Sequence, residues 1–154
     1  MKKKKKPDHP TIENRQARYK YAIEETFEAG LVLKGSEVKS IRDGQASIKE
    51  GYVVFHGGEM FLHGVHIAPF SHSGDHDQHP AIRNIKLLMH KKEMAKLEMT
   101  LEQKKLMMVP IKMYFKANKV KVLLGMGKGK KLFDKREDKK KKDVERSLRQ
   151  KFRT

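Results

Sequence analysis

Apolar side chains recur at almost every second position of residues 19–33, YKYAIEETFEAGLVL. Among the odd positions from Tyr19 to Leu33, Glu25 is the one exception. Alternation with a period of two is typical of a β-strand that buries one face. Glu28 lies on the other phase and is predicted to point outward. Gly30 predicts a bulge or bend of the kind that lets a strand curve around a barrel.

Five further strands are predicted by the same alternation or by turn signals at their ends. The glycine pair Gly57-Gly58 suits the positive φ angles of a tight hairpin turn, and Ala117-Asn118 joins the last two strands. The glycines at 125, 127 and 129 are expected to follow the final strand. The five segments are Tyr52–Phe55, Met60–Ile67, Ile85–Met89, Val109–Phe115 and Val120–Leu124.

Two helices are predicted between these strands. Ser36 is expected to cap a short helix that Gly44 ends in the left-handed conformation, with Lys39 and Arg42 on its outer face. A longer surface helix is expected over residues 91–104, because a narrow apolar stripe recurs there at helical spacing. The stripe consists of Met94, Leu97 and Leu101.

This order of elements indicates a mainly β protein with two or three short helices. About six curved antiparallel strands, with a helix inserted before the last pair, fit a closed barrel of the oligonucleotide-binding type, and an open sandwich is the alternative. We expect a barrel domain over residues 12–127, a basic disordered arm over 1–11 and a basic flexible tail over 128–154.

Positive charge is concentrated at both ends of the 154-residue chain, whose formal net charge is +17. Residues 1–20 hold eight basic and two acidic side chains, and residues 128–154 hold thirteen basic and five acidic ones. Such segments are typical of proteins that neutralise the phosphates of a nucleic acid, with a lipid surface as the weaker alternative. The chain has no cysteine and no long apolar run. These features exclude a disulfide scaffold and predict a cytoplasmic protein without a membrane segment.

The residues show no pattern typical of an active site. His63, His66 and the histidines and aspartates of residues 72–79 form one cluster of metal-ligand types, but a solvated polar loop has the same composition. We therefore expect neither a metal nor a cofactor, and we expect that the protein is not an enzyme. A metal-dependent nuclease that uses this loop is the rival enzyme hypothesis.

Basic and polar side chains on outward positions favour contact with RNA phosphates, and three tyrosines offer rings on which an unstacked base could lie. The basic and polar positions are Asn14, Arg15, Arg18, Lys20, Glu28, Lys39, Arg42 and Lys121, and the tyrosines are Tyr19, Tyr21 and Tyr52. For the tyrosines, packing in the core is an equally good interpretation.

Three longer stretches resemble one family, the SsrA-binding proteins, also called small protein B. They are ENRQARYKY at residues 13–21, FEAGL at 27–31 with GSEVKSIR at 35–42, and GKGKKLFDKR at 127–136. The resemblance covers about residues 11–138, in the order and spacing of the family.

This resemblance implies an oligonucleotide-binding barrel that binds the tRNA-like domain of transfer-messenger RNA and delivers it to stalled ribosomes. It also implies a monomer that meets alanyl-tRNA synthetase and elongation factor Tu indirectly, through the RNA. A general single-strand RNA binder or chaperone is the alternative. The predicted RNA-binding set, from the resemblance and the outward positions together, is Asn14, Arg15, Arg18, Lys20, Glu28, Glu37, Lys39, Arg42, Tyr52, Leu88 and Lys121.

The resemblance further implies that the tail occupies the decoding centre and message channel of the ribosome and becomes helical there. Phe133 stands where other members carry histidine or tyrosine, so stacking is retained and any hydrogen bond from the ring is lost. Val144, Leu148 and Phe152 recur every four residues, a pattern that is compatible with a helix. The predicted ribosome-binding set is Lys128, Lys130, Lys131, Phe133, Asp134, Lys135 and Arg136.

Overall fold

A computed structural model describes residues 10–69 and 79–130 of the chain. These residues form a mainly β structure with three helices. In chain order the elements are β1 (Ile12–Glu13), α1 (Ala17–Lys20), β2 (Tyr21–Leu31), α2 (Gly35–Arg42), β3 (Ala46–Ser47), β4 (Tyr52–His56), β5 (Glu59–His63), β6 (His66–Ile67), β7 (Ile85–Leu88), α3 (Lys91–Lys104), β8 (Met107–Lys116) and β9 (Lys119–Gly129).

Seven of the strands form one antiparallel sheet in the order β1-β8-β9-β2-β7-β5-β4, and β3 pairs with β6 in a small second sheet. The large sheet curls until β4 packs near β8. Within residues 10–69 and 79–130, however, no hydrogen-bonded ladder joins β4 to β8 or to β1. The antiparallel architecture is therefore as predicted, whereas the closed barrel is not confirmed, because the sheet keeps two free ends.

The core fills the concave side of this sheet. Alternating positions of the strands supply it, so that Met60 and Leu62 of β5 meet Ile85 and Leu87 of β7, all at most 1% exposed. Val122 and Leu124 of β9 and Met113 of β8 are fully buried in the same cluster. The period-two pattern that predicted the strands is thus the pattern of burial.

The first strand starts later than predicted, and its irregularity lies elsewhere. Residues 17–20 form α1, so Tyr19 belongs to a helix and β2 begins at Tyr21. The register of β2 against β9 shifts between Ile23 and Glu25, not at Gly30. At Gly30 a Cβ atom would lie 3.3 Å from the Cβ of Leu88, so this glycine allows close approach of the neighbouring strand.

The last strand extends further than predicted. β9 continues to Gly129, two residues past the expected domain boundary, so the glycines lie within it or at its end. At Gly127 a Cβ atom would lie 2.0 Å from the carbonyl oxygen of Ala22 on β2. A glycine here permits the two strands to pair. The glycines were predicted to follow the strand, but Gly127 lies within it because this close approach requires a glycine. The segment predicted as one strand at 60–67 is likewise divided, because Gly64 adopts a φ of 73° between β5 and β6.

Both predicted helices are present. α3 has the predicted bounds, and Gly44 (φ 73°) follows α2 in the left-handed conformation. The predicted cap is wrong: the N-cap of α2 is Lys34, and the hydroxyl of Ser36 is instead buried against His79. Gly57 and Gly58 have positive φ, as predicted, and so do Ala117 and Asn118 in the predicted turn between the last two strands.

Candidate nucleic-acid interface

Glu28 lies on the outward face of β2, as predicted, and takes part in a polar cluster across three strands. Its carboxylate accepts a short hydrogen bond from the Tyr114 hydroxyl and a second, 3.3 Å long, from the Lys116 ammonium. The Tyr114 hydrogen bond, together with Lys116 and Lys121, holds the pKa of Glu28 below its ordinary value, although burial alone would raise it. Burial, and then Glu28 itself, raise the pKa of Tyr114 to about 12. Glu28 is therefore a charged acceptor at neutral pH.

Leu88 and Lys121 lie beside Glu28 on the neighbouring strands. Gly30, two residues after Glu28, pairs with Leu88 on β7 and with Lys121 on β9. Leu88 is 51% exposed although it is apolar, and the Lys121 ammonium would lie 3.5 Å from a Cβ at Gly30. Leu88 and Lys121, from distant parts of the sequence, thus border one shallow cleft of about 310 Å³, and Glu28 lies two residues before Gly30 of its lining.

α2 extends this surface on one side. Val38 lines the same cleft as Lys121, and the guanidinium of Arg42 lies 5.9 Å from the centroid of the Phe115 ring. Lys39 and Arg42 are therefore on the helix that flanks Leu88 and Lys121. We call the cleft, this helix and the adjacent Glu28 of β2 the α2 surface, formed by Glu28, Lys39, Arg42, Leu88 and Lys121.

Glu37 does not belong to the exposed part of this surface, in contrast to its predicted role. It is 1% exposed and makes an ion pair with Arg83. Burial alone would raise the pKa of Glu37, but the hydrogen bonds from Arg83 and from the backbone N–H of Lys34 outweigh it and lower the pKa. The carboxylate is therefore occupied by partners inside the protein.

A second cleft, of about 260 Å³, lies beside Tyr52. Lys20, Lys49 and Tyr21 line it together with Tyr52 and Met107, which are 43% and 48% exposed. The Tyr52 ring also contacts His63, with 5.5 Å between the ring centroids. This Tyr52 cleft brings the predicted residues Lys20 and Tyr52 together, but it does not contain those of the α2 surface.

Asn14 lies at the base of the Tyr52 cleft and is buried, although it was predicted to be outward. Its side-chain amide donates to the carbonyl oxygens of Pro110 (3.0 Å) and Ile48 (3.3 Å). These bonds tie the segment after β1 to β8 and to the residue after β3, so the geometry of Asn14 is that of a structural residue. Arg15 and Arg18 are exposed and border a separate depression with Lys112.

The predicted ribosome-binding set is described in part. Lys128 lies in β9, opposite Ala22, and the backbone N–H of Lys130 donates to the carbonyl of Lys20. The start of the tail is therefore fixed next to the Tyr52 cleft. Lys131, Phe133, Asp134, Lys135 and Arg136 lie outside the described residues, as does the arm over 1–9.

The histidine-rich segment has one described member, His79, which is buried. Its Nδ1 faces the Ser36 hydroxyl at 2.8 Å, and its Nε2 faces the carbonyl oxygens of Ile67 and Ala68, both at 3.1 Å. Because two carbonyls surround Nε2, this nitrogen carries the proton, and Nδ1 accepts from Ser36. In the described part of the chain no group of histidine and acidic residues is arranged to hold a metal ion.

Sequence reasoning missed several residues that complete these sites. Tyr114 and Lys116 were detectable, since they occupy the outward phase of β8 between core residues such as Met113. Met107 was missed because the strand was predicted to begin two residues later, at Val109. Arg83 lies in a segment without periodicity, so no pattern marked it.

A curved antiparallel sheet with clefts bordered by lysine, arginine and exposed apolar side chains defines a nucleic-acid-binding β protein. None of the helices in the described ranges is long and apolar enough to cross a membrane.

The family model "SmpB protein" matches residues 11–154, and the chain belongs to this family. The chain is 52% identical over 136 residues to the SsrA-binding protein of Microcystis aeruginosa (strain NIES-843 / IAM M-2473), a match that covers 88% of each chain. It is 49% identical over 140 residues to that of Geobacter sulfurreducens (strain ATCC 51573 / DSM 12127 / PCA), covering 91% of each. The family predicted from the sequence is thereby confirmed.

A solved structure described as "tmRNA-SmpB: a journey to the center of the bacterial ribosome" is similar to this one. The TM-score is 0.66 and the sequence identity is 44%. The similarity covers 80% of this chain and 86% of the other.

Proposed function

We propose that this protein binds transfer-messenger RNA through its tRNA-like domain and acts with it on stalled ribosomes in trans-translation. The observation that carries this proposal is the α2 surface, where Glu28, Leu88 and Lys121 come together on three strands beside Lys39 and Arg42. Membership of the SmpB family supports the identity of the RNA. The protein acts by binding and not as an enzyme.

The α2 surface offers the three kinds of contact that folded RNA needs. Lys39, Arg42 and Lys121 supply positive charge for phosphates. Glu28 accepts hydrogen bonds from 2′-hydroxyls or base amino groups, and its lowered pKa keeps it charged for this purpose. Exposed Leu88, brought close by Gly30, supplies apolar area for a sugar or base.

The Tyr52 cleft supports a second RNA contact. A partly exposed aromatic ring, the apolar side chain of Met107 and two lysines are the groups on which an unstacked base and its phosphate can bind. Lys130, near the start of the tail, is held next to this cleft by its bond to Lys20. We assign the tail, including Lys131 and Phe133 to Arg136, to the decoding centre and message channel of the ribosome.

We further propose that the curled antiparallel sheet is of the oligonucleotide-binding type. The protein works in the cytoplasm as a monomer and meets alanyl-tRNA synthetase and elongation factor Tu through the RNA.

A competition experiment separates this function from general RNA binding. The full-length chain is bound to labelled tRNA-like domain and challenged with unlabelled tRNA-like domain or with an unstructured single strand of equal length. We expect the folded RNA to compete much more effectively. Equal competition would replace the proposed function by that of a general single-strand RNA binder.

Deleting residues 133–154 tests the division of labour between domain and tail. The core and β9 end before this segment, so the truncated chain should keep its affinity for the tRNA-like domain and lose peptide tagging on stalled ribosomes. Loss of RNA affinity, or tagging at the full-length rate, would contradict this division.

A further inference from the structure

The buried side of α2 is largely polar. Ser36, Glu37 and Ser40 are at most 5% exposed, and Ile41 is the fully buried apolar residue beside them. Burying polar groups is unfavourable unless each is hydrogen-bonded. Here Ser36 bonds to His79 and Ser40 donates to the carbonyl of Ala68 at 2.7 Å. Directional bonds, more than an apolar stripe, therefore fix this helix.

Glu37 is the charged member of this buried side, and Arg83 is its partner. Arg83 Nε donates to Oε2 at 2.8 Å and Nη2 donates to Oε1 at 2.5 Å, which is the bidentate geometry of a guanidinium on a carboxylate. The backbone N–H of Lys34 donates to Oε1 at 2.8 Å. The carboxylate is thus held in one orientation.

Arg83 also contacts the end of β2. Its Nη2 donates to the carbonyl of Val32, immediately after β2, at 3.1 Å, and its Nη1 donates locally to the carbonyl of the next residue, Asn84, at 3.3 Å. Because Arg83 itself lies two residues before β7, its guanidinium connects the start of β7 to α2 and β2. The side chain is 25% exposed, so most of it is shielded from water.

These three elements carry four of the five residues of the α2 surface. Lys39 and Arg42 are on α2, Glu28 is on β2 and Leu88 is on β7. We propose that Arg83, through Glu37, is a positioning residue that sets α2 against the sheet so that these four side chains contact one RNA together. This inference rests on the proposed function and adds to it a pair of residues that do not themselves touch the RNA.

The test compares Arg83→Lys with Lys86→Gln in the full-length chain. Lysine keeps the positive charge but cannot make the planar set of four hydrogen bonds. Lys86 lies on β7, and its ion pair with Glu59 is half-exposed, so Lys86→Gln is a matched control that removes a charge without affecting α2. Melting temperatures identify the conditions in which each variant is folded. If Arg83→Lys does not fold, Glu37→Gln replaces it, because this change keeps the shape and removes the charge.

The measurement is the affinity for the isolated tRNA-like domain in a double-mutant cycle with Lys39→Ala. We expect Arg83→Lys to weaken binding about tenfold and Lys86→Gln to have little effect. In the Arg83→Lys background, Lys39→Ala should reduce the affinity clearly less than in the wild type, because α2 is no longer held in position against the sheet. A merely structural role would lower the melting temperature and leave the effect of Lys39→Ala unchanged.

The outcomes distinguish the positioning role of Arg83 from the proposed function of the protein. If the wild type binds and Arg83→Lys binds equally well, or if the effects of Arg83→Lys and Lys39→Ala simply multiply, the positioning role is overturned and the proposed function stands. If the wild type does not prefer the tRNA-like domain, the proposed function fails and the positioning role fails with it.

Discussion

α2 and α3 pack against the same core in opposite ways. α3 has the usual amphipathic pattern, in which Met94 and Leu97 are buried and the opposite face is charged. α2 buries two serines and a glutamate and satisfies them with hydrogen bonds to His79, Ala68 and Arg83. An apolar stripe stabilises a helix but accepts small rotations, whereas hydrogen bonds weaken steeply with angle. The helix with directional contacts is the one that carries the predicted phosphate-binding residues.

The strongest test of this contrast is a pair of destabilising substitutions, one on each helix. Glu37→Ala leaves the guanidinium of Arg83 and the N–H of Lys34 without their acceptor, and we expect a loss of about 3 kcal/mol in the free energy of unfolding. Leu97→Ala leaves a cavity under α3 and should cost about 2–3 kcal/mol. Urea unfolding measures both.

The two variants should differ in RNA affinity, measured at a temperature at which both remain folded. Glu37→Ala should bind the tRNA-like domain more weakly than the wild type, and Leu97→Ala should bind as the wild type does. An equal loss of RNA affinity in both variants would mean that affinity follows stability. The difference in packing between α2 and α3 would then have no role in RNA binding.

Glu28→Ala should affect binding with little effect on stability. We expect roughly a tenfold loss in affinity, the size of one hydrogen bond to a charged group, because the exposed carboxylate is the acceptor on the α2 surface. Tyr114→Phe is the control, since it removes the hydroxyl that contacts Glu28 and leaves the carboxylate in place. A large drop in melting temperature in Glu28→Ala, with affinity intact, would make Glu28 structural.

The smallest expected effect is on the pH dependence of stability. Because the pKa of Glu37 is lowered from its ordinary 4.5 in the folded chain, its contribution to stability is complete above pH 4.5 and is lost as the pH falls through the folded-state value. Urea unfolding at several pH values should therefore show a shallower acid loss for Glu37→Gln than for the wild type. Parallel curves would show that Arg83 does not stabilise the charged form.

The sequence predicted elements where one local pattern decides the structure. The heptad-like spacing of Met94, Leu97 and Leu101 sufficed for the bounds of α3, and alternation predicted the outward position of Glu28. The wrong predictions concern residues whose position depends on a partner far away in the sequence. A glycine is needed at 127 because a Cβ atom would collide with the carbonyl of Ala22. Asn14 is buried because its amide donates to carbonyl oxygens 34 and 96 residues further along the chain.

The site was predictable to a similar degree. Leu88 was assigned by resemblance and lies beside Glu28 and Lys121, as a shared surface requires. Glu37 was assigned in the same way and is buried, because its partner Arg83 lies 46 residues further along the chain and carries no periodic signal. Polar pairs between residues far apart in the sequence cannot be predicted from a local pattern.

The most direct test of the account is the salt dependence of binding by the Lys39→Ala, Arg42→Ala double variant. If both side chains contact phosphates of the tRNA-like domain, the slope of log K against log salt should decrease in magnitude by about 1.4 to 1.8 relative to the wild type. The account predicts this change with an unaltered melting temperature. An unchanged slope would contradict the assignment of the α2 surface as the RNA-binding surface.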